Sequence, residues 1–233
     1  INSRFFDPKT ATYGSGFQTE LSTALFWGIV PEAHSEKVAH NLAKKVISDD
    51  RHIDVGLLGS KAILNALSEN GHADLAYEVA TQENFPSWGA WIKKGATTLF
   101  EDWKVDEERK GAMSRNHIMF GEIGAWFYKA LGGIKPDPNH PGFKNILLEP
   151  HFVRDLERFE AEHNGPHGKI LSSWKKENGK VFYDVIIPPN SGASLVINQG
   201  EILNKDGVEF SKDQKDAFQA QLQSGTYHFE IKL

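Results

Sequence analysis

The chain has 233 residues, 39% hydrophobic and 24% charged, which is enough apolar mass for one large or two small cores and does not fit a disordered segment. A net charge of -5, with the lysine doublets Lys44-Lys45, Lys93-Lys94 and Lys175-Lys176 dispersed, excludes the concentrated positive surface that a nucleic-acid partner needs. Cysteine is absent, which excludes a disulfide scaffold, a thiol nucleophile and a cysteine zinc site, and no run approaches the roughly twenty apolar residues that span a bilayer.

The chain opens at Ile1 with neither a charged n-region nor an apolar h-region, so no signal peptide is visible and the start reads as a cut. From Thr19 to about Ile134 apolar residues recur at intervals of three and four, the spacing of one helical face. Leu21, Leu25 and Ile29 predict a first helix ended by Pro31, and Val38, Leu42 and Val46 a second. Leu58, Ala62, Ile63, Ala66 and Leu67 predict a third, stopped by Asn70-Gly71. Ala73, Ala76, Tyr77 and Ala80 give a fourth, a short fifth follows Pro86, and a long sixth holds Phe120, Ile123, Phe127 and Leu131 before Gly132-Gly133. Short links favour hairpins, and faces that are apolar on more than one side fit helices covered twice in a layered barrel. Three hairpins are half of a six-hairpin toroid. Its two apolar edges imply upstream sequence or a stable partner fragment.

Three prolines between Lys135 and Gly142 break the helical pattern, and beyond them the period becomes two. Ile146 and Leu148, then Val181, Tyr183, Val185 and Ile187, then Tyr227, Phe229 and Ile231 alternate with their neighbours, separated by turn signals at Asn178-Gly179, Pro188 to Gly192 and Asp206-Gly207. The organisation read from this is a helical half-barrel over 1–134, a linker over 135–145 and an antiparallel β-sandwich over 146–233. Trp174, flanked by charged residues, is read as half buried and as no sugar platform by itself.

Familiar sites are few. Gly14-Ser15-Gly16 lacks the lysine and helix start of a phosphate loop and reads as a turn; no nucleophile elbow is present. His163 and His167, four apart, have Gly165-Pro166 between them and cannot share a helix face as a zinc pair, so no metal and no cofactor is expected. The informative stretch is Phe85-Pro86-Ser87-Trp88-Gly89-Ala90-Trp91, followed by Gly95-Ala96-Thr97-Thr98-Leu99-Phe100-Glu101-Asp102-Trp103. A carboxylate between Phe100 and Trp103, after small residues that let backbones approach, is placed as a partly desolvated base, with Trp88 and Trp103 able to stack on the apolar side of a sugar ring. A surface glutamate beside core aromatics is the alternative reading, and Asp102 is the alternative carboxylate.

These residues, together with Asn116-His117, Phe120-Gly121, Gly124, Trp126 and Tyr128, resemble the late barrel motifs of the α-L-rhamnosidases of glycoside hydrolase family 78. Phe17-Gln18-Thr19 before Gly28 to Pro31, His52 before Gly56 to Gly59, and Pro141 to Lys144 fall in the same order, so the resemblance covers about 16–144. It implies the C-terminal half of an (α/α)6 barrel followed by the sandwich, with Glu101 as general base and His117 contacting the sugar in an inverting hydrolysis of terminal α-L-rhamnose. The general acid of that family lies upstream of these residues, which makes the upstream portion of the same enzyme a partner and a rhamnose-containing carbohydrate the substrate. Family expectation favours a periplasmic or extracellular location. Phe100 stands where Trp is expected and Asp54 where Thr is, and the interval from Glu101 to His117 is short, which bears on substrate range more than on reaction type. Two readings compete: an (α/α)6-barrel hydrolase for another sugar, and a noncatalytic carbohydrate-binding or scaffold fragment.

Overall fold

The structure, a computed structural model, describes residues 1–104, 113–214 and 216–233. They divide into two units, Ile1–Ala125 and Trp126–Leu233.

The first unit opens with α1 (Asn2–Phe5) and a small hairpin of β1 (Phe6–Asp7) and β2 (Thr12–Tyr13). The Gly14-Ser15-Gly16 segment is a turn leading into α2 (Gln18–Phe26), as its sequence predicts. Glu20, in the first turn of α2, reaches back to accept the N–H groups of Ser15 and Phe17, each at 2.9 Å. The helix ends before Pro31 because Gly28 adopts φ 62°, which lets Gly28 N–H reach Leu25 O and Ile29 N–H reach Ala24 O. A 3-10 turn (Glu32–His34) leads to α3 (Ser35–Ser48), whose buried stripe is Val38, Ala39, Leu42, Ala43 and Val46.

The predicted third helix is two pieces, α4 (Leu57–Ser60) and α5 (Ile63–Glu69). The break lies where the backbone packs closest to its neighbours: a Cβ at Gly59 would stand 2.7 Å from Thr19 Oγ1 and from Val55 Cβ. The Ser60 hydroxyl donates to Leu57 O and Met119 O instead of leaving the turn open. Asn70-Gly71 closes α5, with His72 N–H on Leu67 O, and α6 (Ala73–Ala80) packs back against it. Then come α7 (Trp88–Lys93), a 3-10 turn (Ile118–Gly121) and α8 (Glu122–Trp126). α2 packs against both α3 and α5, and its first residue, Gln18, is fully buried. The Gln18 amide is satisfied at both ends: Nε2 donates to Asp49 Oδ2 at 2.8 Å and His52 O at 2.9 Å, and Oε1 accepts Asp54 N–H at 3.0 Å. One side chain thus fixes the 49–54 loop to the start of a helix.

In the second unit the long sixth helix of the sequence continues as a π-helical turn (Phe127–Leu131) and gives way to β3 (Ile134–Pro136), so strand structure begins at residues read as linker. The remaining strands are β4 (Asn145–Leu148), β5 (Arg158–Gly165), β6 (Gly168–Glu177), β7 (Lys180–Ile187), β8 (Gly192–Ile197), β9 (Glu201–Asn204), β10 (Ser211–Lys212), β11 (Phe218–Leu222) and β12 (Gly225–Lys232). They form two five-stranded sheets, β10-β11-β8-β4-β3 and β5-β6-β7-β12-β9. Every pairing is antiparallel except β4 with β8, which is parallel because the chain crosses to build β5, β6 and β7 in the other sheet before returning. β6 and β7 are joined through Asn178 and Gly179, both at positive φ, the two-residue hairpin that the dipeptide signals.

Alternation holds along β7, where Val181, Tyr183, Val185 and Ile187 are buried, as are Ile146 and Leu148 of β4 and Leu195 and Ile197 of β8 in the other sheet. Trp174 is 1% exposed rather than half buried. Lys175 sits on the opposite face of β6, as period two requires, Lys176 on the same face lays its ammonium over the ring at 5.6 Å, and the indole N–H donates to Leu131 O at 2.8 Å. Beside it Ser172 donates to Gly132 O and shares a hydrogen bond with the buried Tyr183 hydroxyl, whose pKa burial raises.

The proline-rich segment is ordered by Asp137. Its carboxylate accepts Asn145 Nδ2 and Asn139 N–H, each at 2.9 Å, and pairs with His140 Nδ1 at 2.8 Å. These bonds to the charged form lower its pKa from 3.8 to about 2. A folded-state pKa below the unfolded one stabilises above pH 3.8 and loses that stabilisation as pH falls toward about 2. Acid titration of Asp137→Asn, followed by NMR, is therefore expected to lack the component that the parent chain loses in this window.

Candidate active site

Ser87 caps α7 by accepting Ala90 N–H at 2.9 Å, and the helix places Trp88 and Trp91, three apart, on one side. Both are buried. Each indole is tied to backbone: Trp88 Nε1 donates to Phe120 O and Trp91 Nε1 to Trp103 O, both at 3.1 Å. Trp103, half buried, stacks on Trp91 at 4.7 Å, meets Trp88 edge-on at 5.1 Å and donates its own N–H to Val55 O at 2.7 Å. With Phe120, 4.3 Å from Trp103, these rings form one cluster that holds the 53–56 loop, α7 and the segment 97–104 together. Both tryptophans named as sugar-stacking candidates belong to it, Trp88 wholly inside and Trp103 at its margin.

Two backbone hydrogen bonds pair the segment carrying Glu101 with the one carrying His117. His117 N–H donates to Leu99 O at 2.8 Å and Glu101 N–H to Ser114 O at 3.0 Å, and the Thr98 hydroxyl donates to Arg115 O. Ser114 N–H returns a bond to Glu101 Oε2 at 2.8 Å, so the carboxylate is oriented by main chain. Glu101 and His117 are both half buried. Among the described residues nothing else bonds the Glu101 carboxylate, and nothing bonds the His117 ring. Of the short interval between them, residues 105–112 lie outside the described residues.

The alternative carboxylate differs in exposure and in the reach of its contact. Asp102 is exposed and accepts Lys104 N–H at 3.1 Å, a local turn contact. A carboxylate with one oxygen fixed by an amide and its other oxygen without a described partner has what a general base needs, a set position and a free lone pair. A neighbouring imidazole can donate to or accept from a hydroxyl. Sequence reasoning missed Ser114 and Val55, which act through backbone atoms and leave no residue-type signal. No group of three His, Cys, Asp or Glu side chains among the described residues is arranged to hold a metal. Nor is any described helix long and apolar enough to cross a membrane.

Residues 1–131 match the family described as the bacterial alpha-L-rhamnosidase 6 hairpin glycosidase domain, and residues 133–209 match the bacterial alpha-L-rhamnosidase C-terminal domain. An alpha-L-rhamnosidase of Formosa agariphila is 32% identical over 230 residues, 92% of this chain and 25% of that protein. One of Streptomyces avermitilis is 30% identical over 185 residues, 77% of this chain and 18% of that protein. Among solved structures, the alpha-L-rhamnosidase from Dictyoglumus thermophilum superposes with a TM-score of 0.85 at 28% identity, over 100% of this chain and 27% of that one. The Streptomyces avermitilis alpha-L-rhamnosidase complexed with L-rhamnose superposes with a TM-score of 0.87 at 24% identity, covering 99% and 23%, and shares the fold. The chain thus spans 18–27% of the length of these relatives.

Proposed function

Since the chain belongs to the bacterial α-L-rhamnosidases, as the end of their six-hairpin α/α barrel followed by their C-terminal β-sandwich domain, we propose that it is the base-bearing part of an inverting glycosidase that releases terminal α-L-rhamnose. Glu101 takes a proton from water as the water oxygen bonds to the anomeric carbon. The bond from that carbon to the aglycone oxygen breaks, and a carboxylic acid from the upstream portion of the same enzyme protonates the departing oxygen. Water must fit between the two groups, so the partner acid stands roughly 6.5–9.5 Å away across the sugar. His117 hydrogen-bonds a sugar hydroxyl, and Trp103, at the margin of the aromatic cluster, offers the apolar ring contact; Trp88, being buried, supports that ring from behind.

The observation that carries this reading is the half-buried Glu101 carboxylate, held by Ser114 N–H on the segment paired with that of His117. Ile118, Leu58 and Ile92 are 83%, 76% and 70% exposed, apolar surface of the kind that further protein covers. This supports an upstream portion completing the site. NMR of the first sugar formed by the complete enzyme from an aryl α-L-rhamnoside is the test: β-L-rhamnose is expected before mutarotation. An initial α-anomer would overturn the inverting mechanism, and activity confined to another glycoside would overturn the substrate. Alone, the 233-residue chain is expected to be inactive.

A further inference from the structure

The outer face of the sheet β5-β6-β7-β12 carries a concave surface within the second unit. In the register Arg158 lies opposite Lys175 and Lys175 opposite Phe182; in the next row Glu160 lies opposite Ser173, Ser173 opposite Asp184 and Asp184 opposite His228. Period two sends these side chains away from the core that holds Trp174 and Tyr183. These rows, His228 excepted, line together with Phe159 and Trp174 a cavity of about 500 Å³, within the roughly 300–1,000 Å³ typical of small-ligand sites.

Its chemistry is specific. Phe182 is half buried, and the Lys175 ammonium lies 5.4 Å from its ring centre while bonding Glu177 at 3.0 Å, which steadies the ring. Asp184 is held by His228 Nδ1 at 2.6 Å. Among the described residues the Arg158 guanidinium, the Glu160 carboxylate and the Ser173 hydroxyl bond nothing, although all three line the cavity. Two cations, Arg158 and Lys175, face two carboxylates, Glu160 and Asp184, so the lining holds no excess charge to select a polyanion or a polycation. What it offers is donors and acceptors side by side next to one aromatic ring. A ligand that matches this must carry many groups that both donate and accept, on a frame with an apolar face. A neutral sugar has both features, whereas a peptide strand would look to an unpaired sheet edge for its main-chain bonds.

We propose that this face is a noncatalytic binding site for a neutral mono- or disaccharide, with its apolar face on Phe182 and its hydroxyls on Arg158, Glu160, Ser173 and Asp184. The site is independent of the reaction assigned to Glu101. It would hold carbohydrate on the sandwich while leaving the barrel free.

The test is an NMR titration of the 233-residue chain with a rhamnosyl-glucose disaccharide, with maltose and with galacturonate. At least one neutral disaccharide is expected to shift the amide signals of 158–160, 173–175 and 182–184, with a Kd on the order of 1 mM, the strength a small ligand draws from a half-open groove. Phe182→Ala and Glu160→Gln are each expected to raise that Kd about tenfold or more at unchanged signal dispersion. If Phe182→Ala loses dispersion, Glu160→Gln decides. No shift in these strands, shifts confined to 98–117, preference for galacturonate, or unaltered affinity in the folded variants would overturn the proposal.

Discussion

Glu101→Gln in the complete enzyme is expected to lower kcat for an aryl α-L-rhamnoside by about 10²–10⁴-fold, the contribution of one positioned general base. The amide oxygen of Gln can still accept Ser114 N–H, so the segment stays in place and KM should change little. What is lost is the capacity to take a proton from water. An aryl leaving group sharpens the result, because a phenolate departs with little help from an acid, leaving the activation of water as the step that Glu101 governs. Asp102→Asn is the control. Its carboxylate is exposed and bonds only the nearby Lys104 N–H among the described residues, so its removal should leave kcat within about twofold. The reverse pattern, an active Glu101→Gln and an inactive Asp102→Asn, would move the base by one residue. Near-normal turnover in both would remove this segment from the proton transfer.

Trp174→Ala is expected to cost about 3–5 kcal/mol, enough to unfold most of a marginal domain. The side chain is 1% exposed and meets Phe152 at 5.6 Å and Phe159 at 6.4 Å. Its removal opens a cavity and also leaves Leu131 O without its indole donor. Urea unfolding followed by far-UV circular dichroism measures the loss. Trp174→Phe, which keeps much of the volume and loses only the hydrogen bond, should cost less. An alanine variant as stable as the parent would mean that the sandwich core closes without this ring.

The helical half was legible because its signals are local. Stripes at three and four, Asn70-Gly71 and Pro31 mark the helices and stops that occur, whereas the break between Ser60 and Ile63 depends on Gly59 meeting Thr19 and Val55, which no window along the chain contains. In the sandwich, β7 and β12 read plainly through their alternating apolar residues. β5 was not read, since its outward positions are Arg158, Glu160 and Glu162 and only Ala161 on its other face is fully buried. Trp174 differs from its reading for a related reason: Lys175 belongs to the opposite face of the strand, and Lys176, on the same face, covers the ring and leaves it buried. At the site, residue types pointed to Glu101 and the tryptophans and the family resemblance to His117, but the pairing of 99–101 with 114–117 runs through main-chain atoms and has no composition to betray it.

The turn at Phe127–Leu131 and the two glycines after it carry a practical lesson for anyone wishing to produce the β part by itself. Three of its carbonyls serve residues far along the chain: Ala130 O accepts His151 N–H, Leu131 O accepts the Trp174 indole and Gly132 O accepts the Ser172 hydroxyl. A gene trimmed to start at the prolines would strip all three acceptors from beneath the sheet, so a viable cut belongs upstream of Trp126.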